Sequence, residues 1–200
     1  MAVKIKTVKN EFPKMEAKLE ILNGKTINVG VQGEHAWLAA IHEYGCDIKP
    51  KRAKYLTVPC NRAAFGKRAA DFPDLFFFQT KSGSKFLARK RGKDDIEFMF
   101  ALFKHVKIPE RSFLRAGFDA VHLKAVDRAE RILPKVIEGK VSEDVLYELV
   151  GTILRDGIKD YARDLASPPK RPITIEAEGG AENPLINTGD MINGLEYEVE

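Results

Sequence analysis

A long apolar run that ends close to a proline constrains this chain more than any other feature. Residues 96–106, IEFMFALFKHV, have almost no polar interruption before Lys104, which is typical of a buried strand. Pro109 follows soon after, and a proline has no N–H to donate to a β-ladder. Over residues 113–133, apolar side chains then recur at helical spacing. We therefore predict a strand that ends before Pro109 and is followed by an amphipathic helix.

This strand and helix can bury a shared core face. We expect Phe113, Phe118 and Val121 to be buried against residues 96–106, because all three fall on one side of the helix. Helical spacing also predicts helices over residues 11–22, 35–44 (with Trp37, Leu38 and Ile41 facing inward) and 142–165. Alternating apolar residues predict strands over residues 26–31, 55–58, 75–80, 85–90, 173–176 and 194–199. Residues 46–52 form an irregular, basic segment in this prediction.

Together these elements predict an α+β fold, in which a mostly antiparallel sheet is covered by two to three long helices. Two glycine-bearing turns join the strands between residues 75 and 106, which predicts a β-hairpin meander. The 200 residues suffice for one domain, so we predict a single α+β domain over residues 1–200. Within it, residues 46–107 form a β-rich insertion and residues 177–190 a flexible loop.

Composition places the chain among ordinary globular proteins. No apolar run is long enough to span a bilayer, and the first residues lack the apolar stretch of a signal peptide. The net charge of +4 is too small to indicate a nucleic-acid-binding protein by itself. Cys46 and Cys60 do not make a disulfide framework. We expect no membrane partner and synthesis in a cytosol where thiols stay reduced.

Residues that could ligate a metal or act in catalysis do not form a known pattern. His42 and Glu43 are adjacent, as in a metalloprotease helix, but the required second histidine is replaced by Cys46. His35 and Cys60 could complete a zinc site, yet the ligands are spaced more widely than in structural zinc sites. No activated nucleophile and no glycine-rich phosphate loop is recognisable. We therefore predict no catalytic residue, no metal and no cofactor.

A basic cluster lies on the predicted hairpin, where it surrounds the apolar pair Phe86 and Leu87. Its members are Lys81, Lys85, Arg89, Lys90, Arg91 and Lys93. Lysines on a strand edge often protect it from aggregation, and this is the simplest interpretation. The alternative is contact with DNA or with an acidic partner protein.

Three stretches resemble the neck or tail-completion proteins of tailed phages, also described as virion-morphogenesis or minor tail components. The first is AAIHEYG at residues 39–45, and the second is IPERSFLR at residues 108–115. The third is PLINTGDM at residues 184–191, followed by a strand that ends at Val199. The sequence departs from the family at Asn187, where an aspartate is more usual.

The resemblance implies a small structural protein without catalysis or cofactor. Such a protein forms a ring of identical subunits at the head–tail junction and contacts other neck and tail proteins. It makes the tail competent to join a filled head, with a possible passing contact with phage DNA. Its place is therefore the virion, after synthesis in the cytoplasm of a bacterial host. The alternatives are a nucleic-acid-binding module that uses residues 81–93 and a metal-dependent enzyme built on His35, His42 and the cysteines.

An assembly role also predicts contact surfaces. We expect contacts at residues 46–54, at residues 177–190 and on the basic hairpin, because these segments are polar and flank apolar strands. The strands at residues 26–31 and 194–199 could be continued by a neighbouring subunit. Reversing the charges of Arg89, Lys90 and Arg91 together should then block joining without a loss of stability.

Overall fold

The structure is a computed structural model that describes residues 12–92 and 95–200. It is an α+β fold with antiparallel sheets and several helices, as predicted. The chain divides into two compact units, each built from separate parts of the sequence. Unit 1 comprises the described part of Met1–Ala36 with Phe113–Arg163 and Asp190–Glu200, and unit 2 comprises Trp37–Ser112 and Asp164–Gly189.

Unit 1 contains two long helices and a two-stranded sheet. Its elements are α1 (Phe12–Asn23), β1 (Ile27–Val31), α3 (Leu114–Ile137), α4 (Glu143–Asp164, whose last residue belongs to unit 2), α6 (Asp190–Asn193) and β8 (Leu195–Val199). Strands β1 and β8 pair in antiparallel fashion, from Ile27 opposite Val199 to Val31 opposite Leu195. No other described strand pairs with either of them, so each has one edge without a strand neighbour.

Helices α3 and α4 approach each other closely because small residues lie at their contact. A Cβ added to Gly117 of α3 would lie 3.3 Å from the Cα of Ile158, which is 2% exposed in α4. A Cβ added to Gly157 of α4 would lie closer still, 2.6 Å from Cγ1 of Val121 in α3. Glycine at such a crossing costs some helix stability but lets the two backbones meet.

The predicted burial of Phe118 is wrong. Its side chain is 45% exposed and stacks on the ring of His122, with the ring centroids 5.2 Å apart. Phe113 is fully buried, and Val121 is half-buried against Gly157. Packing of these two residues against residues 96–106 stays a prediction. Gly117 and Val121 approach α4 while Phe118 is largely exposed, so the buried face of α3 is narrower than predicted.

Unit 2 carries most of the strands. Its elements are α2 (Ala36–Tyr44, whose first residue belongs to unit 1), β2 (Cys46–Ile48), β3 (Leu56–Pro59), β4 (Phe76–Gln79), β5 (Lys85–Lys90), β6 (Ile96–Phe103), β7 (Val106–Ile108) and α5 (Pro172–Ala177). The larger sheet has the antiparallel order β3-β6-β5-β4, and β2 pairs separately with β7. The predicted meander is therefore present as β4, β5 and β6.

An extra residue in β6 builds the core of the larger sheet. Leu87 of β5 is opposite Phe100, but the next residue, Ala88, is opposite Phe98, which leaves Met99 as a bulge. A bulge lets two successive side chains turn to the same region, and both Met99 and Phe100 are buried. They pack with Ala64 and with partly buried residues before β4, including Phe72, whose ring meets that of Phe100 edge-on at 5.9 Å.

Four local predictions about unit 2 are wrong. The run at residues 96–106 is divided into β6 and β7, because exposed Lys104 and His105 interrupt it. The segment predicted as irregular from residue 46 begins with β2. Residues 173–176 lie in helix α5, since Pro172 occupies a first-turn position that suits a helix. Trp37, predicted to face inward, is 65% exposed.

The contact between α3 and α4 can be tested by adding one methyl group. In a helix with free space, Gly→Ala stabilises by up to about 1 kcal/mol. At Gly157, the new Cβ would lie 2.6 Å from Cγ1 of Val121, so we expect Gly157→Ala to lower the free energy of unfolding instead. The expected loss is about 1–3 kcal/mol in urea denaturation.

A double variant separates this clash from other effects. Val121→Ala removes the obstructing methyl groups, so the combined variant should be more stable than the sum of the two single changes predicts. Gly30→Ala, which adds a methyl group where no atom lies within 4 Å, serves as the control. Strict additivity of Gly157→Ala and Val121→Ala would contradict the described contact.

Candidate functional site

The basic cluster of the hairpin is only partly available to a ligand. Lys81 lies in the turn before β5, and Lys90 and Arg91 lie at its end; all three are exposed. Lys85 donates a hydrogen bond from Nζ to the hydroxyl of Tyr55 at 2.9 Å. Lys93 lies outside the residues that the structure describes. Among the residues that the structure describes, three cations of the cluster are therefore exposed to solvent, one before β5 and two at its end.

Arg89 is engaged within the sheet. Its Nε donates to Oε2 of Glu97 on β6 at 2.6 Å, and Asn61 donates to the other carboxylate oxygen at 3.1 Å. These hydrogen bonds, that from Arg89 first, hold the pKa of Glu97 below its usual value. Reversing the charge of Arg89 would place two carboxylates side by side. A triple reversal that includes Arg89 should therefore lower stability, contrary to the expectation from the sequence.

Two neighbouring substitutions test this difference. Arg89→Glu should lower the urea midpoint of the protein, because Glu97 would lose its partner and gain a like charge. Lys90→Glu, at the next position on the same strand, should leave the midpoint unchanged within error, since Lys90 is exposed. Equal midpoints for the two variants would show that the pair between Arg89 and Glu97 is unimportant for stability.

A second basic feature is an open cavity in unit 2, which we call the unit 2 cavity. Its volume is about 840 Å³. The wall is formed by α2, by β7 and the residues after it, by α5 with the residues on either side of it, and by residues 184–187. Its charged or titratable members are His42, Lys107, Arg111, Lys170, Arg171 and Glu178.

The end of α2 brings the first two parts of this wall together. Gly45 ends the helix with φ of +71°, a conformation that glycine adopts without strain. A Cβ at this position would also lie 2.9 Å from the carbonyl oxygen of Ile108 and from the amide nitrogen of Glu110. Arg111 donates its backbone N–H to the carbonyl of His42 at 2.7 Å. Ser112 adds a hydrogen bond of 2.7 Å from its hydroxyl to Glu43.

The guanidinium of Arg111 reaches the segment before α5. Its Nε donates to the carbonyl of Pro168 at 2.9 Å, and Nη2 donates to that of Pro169 at 3.3 Å. The residue is only 8% exposed. Burial lowers the pKa of Arg111 from its ordinary value, while the negative charge of Glu178 opposes this effect.

Lys170 ties the following loop into unit 2. Its side chain is 6% exposed, and Nζ forms an ion pair with Glu178. The same ammonium donates to the carbonyl of Ala181 at 3.2 Å and to that of Ile186 at 2.6 Å. An ammonium has three N–H groups, so these acceptors use all of them. Leu185, in the segment predicted to be a flexible loop, is 6% exposed.

His42 is the third polar group of the wall. Its Nδ1 is buried, and the described residues offer it no hydrogen-bond partner. Burial, followed by the positive charges of Arg111 and Lys170, lowers the pKa of His42 from 6.5. The imidazole is therefore neutral at pH 7.

Sequence reasoning found the stretches that form this cavity but not their shared site. The sequence places His42 in a possible zinc site and in the first resembling stretch, and Arg111 in the second stretch. Nothing in the sequence indicates that Lys170 is buried, because a lysine after two prolines is typical of a solvated loop. Cys46 and Cys60 are free thiols, and no group of three or more His, Cys, Asp or Glu within residues 12–92 and 95–200 is arranged to hold a metal.

Comparison with known proteins gives no relative: no family model, no curated protein and no solved structure matches the chain. Among the helices that the structure describes, none is both long enough and apolar enough to cross a membrane.

The low pKa of His42 makes stability depend on pH. Below pH 6.5, His42 of the unfolded chain takes up a proton that the folded protein resists, so stability should fall as the pH is lowered through this range. His42→Gln removes this contribution while keeping a neutral polar side chain. We expect the loss of unfolding free energy between pH 7.5 and pH 5.5 to be smaller in the variant, as measured by urea denaturation. An identical loss in both proteins would contradict the assignment.

Proposed function

We propose that the chain is a structural protein of the head–tail junction of a tailed phage or prophage. In this role it forms a ring with copies of itself, contacts other neck and tail proteins, and makes the tail competent to join a filled head. Its place of action is the virion.

One observation carries this proposal. Parts of the three stretches that resemble neck and tail-completion proteins lie around one site of unit 2. Arg111 of the second stretch bonds to His42 of the first, and Gly45 packs on Ile108. Leu185 of the third stretch lines the same cavity as Arg111 and His42. Residues about seventy positions apart thus meet, which supports treating the three short resemblances as parts of one feature.

Exposed strand edges and cations offer surfaces for assembly. The strands β1 and β8 each have an edge that no described strand covers, and such an edge can pair with a strand of a neighbouring subunit. Lys81, Lys90 and Arg91 are exposed at the ends of β5, where an acidic neighbour could meet them. These cations also support the second candidate, direct contact with DNA. The internal pairing of Lys85 and Arg89 weakens that candidate.

Inactivation of the gene tests the proposal. In the phage or induced prophage that carries it, loss of the protein should yield free heads and free tails, counted by electron microscopy, and wild-type protein supplied in trans should restore joined particles. Joined, infectious particles in the absence of the protein would overturn the proposal.

A surface variant tests whether the basic hairpin is a contact surface in assembly. Reversing Lys81, Lys90 and Arg91 to glutamate should reduce the yield of joined particles at least tenfold, while circular dichroism and the urea midpoint stay unchanged. Reversal of three exposed lysines that are not part of the hairpin, Lys67, Lys124 and Lys135, adds the same negative charge and serves as the control. If the purified protein instead binds duplex DNA with an affinity that falls steeply with salt, and the triple variant loses this binding, the hairpin contacts DNA.

A further inference from the structure

The unit 2 cavity has an excess of positive charge. Four cationic residues line it, namely Lys107, Arg111, Lys170 and Arg171, against the single carboxylate of Glu178. That carboxylate forms an ion pair with Lys170, whose remaining donors bind two backbone carbonyls. The charge of Glu178 is therefore already paired with Lys170, and Lys170 has no N–H group left to donate to a ligand.

Arg111 is in a different position. It is almost completely buried, and no carboxylate in the described part of the chain forms an ion pair with it. Two of its nitrogens donate to the carbonyls of Pro168 and Pro169, but the described residues provide no acceptor for Nη1. A buried charge without a counter-ion is costly, and a guanidinium binds carboxylates particularly well because its N–H groups form a planar fork. The cavity beside Arg111 thus favours an anion.

The remaining wall indicates what carries this anion. Apolar side chains line the cavity together with the charges, among them Leu38, Ile108, Pro109 and Leu185. Duplex DNA presents its phosphates on a wide, hydrated surface, and proteins usually meet them with exposed cations. A buried guanidinium between apolar walls is accessible instead to a single side chain that projects from a protein segment.

We propose that the unit 2 cavity binds an aspartate or glutamate side chain, flanked by apolar residues, from a partner protein, and that Arg111 receives its carboxylate. The assignment of this partner to the phage assembly rests on the proposed function. The carboxylate specificity rests only on the charges and the apolar walls of the cavity. It adds this cavity, as a second site for an acidic partner, to the exposed cations of the basic hairpin.

The pKa of His42 should respond to a charged ligand in the unit 2 cavity. The positive charges of Arg111 and Lys170 help to lower the pKa of His42, and the negative charge of Glu178 opposes them. A carboxylate bound in the cavity would add to the effect of Glu178 and raise the pKa of His42. An uncharged ligand of the same shape would not add this charge.

The experiment titrates the full chain, labelled with ¹⁵N, with the peptide acetyl-Leu-Ile-Asp-Leu-Ile-amide and observes its NMR spectrum. The matched probe contains Asn in place of Asp. We expect the Asp peptide to bind at least tenfold more tightly than the Asn peptide, to shift the signals of Arg111, His42 and Asn187, and to raise the pKa of His42. Equal affinity of the two peptides, or no binding of either, would overturn the proposal.

Substitutions at Thr174, a half-buried residue of the wall, avoid disturbing Arg111. Thr174→Glu places a competing carboxylate in the cavity, and Thr174→Gln adds the same bulk without charge. We expect the first to weaken binding of the Asp peptide at least tenfold more than the second does. Equal effects would show that charge is not recognised and would overturn the proposal.

A duplex DNA oligonucleotide is the third probe. If it shifts the signals of Arg111 and His42 while the Asp peptide does not, the anion is a phosphate and the proposal is wrong. The outcomes also separate the two proposals. Failure of the peptide to bind leaves the role in head–tail joining untouched, because that role is tested by gene inactivation.

Discussion

Burying a positive charge is costly unless its donors find acceptors, and unit 2 is organised by two side chains under this constraint. Lys170 meets it with one carboxylate and two backbone carbonyls, which fastens the chain from Glu178 to Ile186. Arg111 meets it in part, with the carbonyls of Pro168 and Pro169. Its backbone N–H also bonds to the last turn of α2. Arg111 therefore joins three segments that are distant in sequence, and each of them contributes to the wall of the unit 2 cavity.

Local patterns predicted the elements whose environment is local. The strands β4, β5 and β6 follow from alternating apolar residues and glycine-bearing turns, and α4 follows from its helical spacing. The predictions are wrong where contacts between distant segments determine which residues are buried. The spacing of α3 predicted that Phe118 is buried, but Gly117 meets Ile158 and Phe118 is 45% exposed, because spacing alone does not show which residues the neighbouring helix covers.

The candidate site was predictable only as fragments. Gly45 could be recognised as a helix end, but not as the point where Ile108 and Glu110 pass within 2.9 Å of an added Cβ. Residues 173–176 were predicted as a strand because three of them are β-branched. They form part of helix α5, whose first turn begins with Pro172. The role of Lys170 depends on a loop that folds back over it. That arrangement has no periodic signature in a single sequence.

The two basic features of unit 2 show why a count of charges is a poor guide to binding. The hairpin has more cations in sequence, yet Arg89 is balanced by Glu97 and Lys85 is bonded to Tyr55. Each of its exposed cations is hydrated and gains little by itself from a partner, because water and salt already screen it. In the cavity, the guanidinium of Arg111 is withdrawn from water without a carboxylate of its own. A partner's carboxylate would therefore gain more there than on the hairpin, provided that it can be desolvated together with its apolar neighbours.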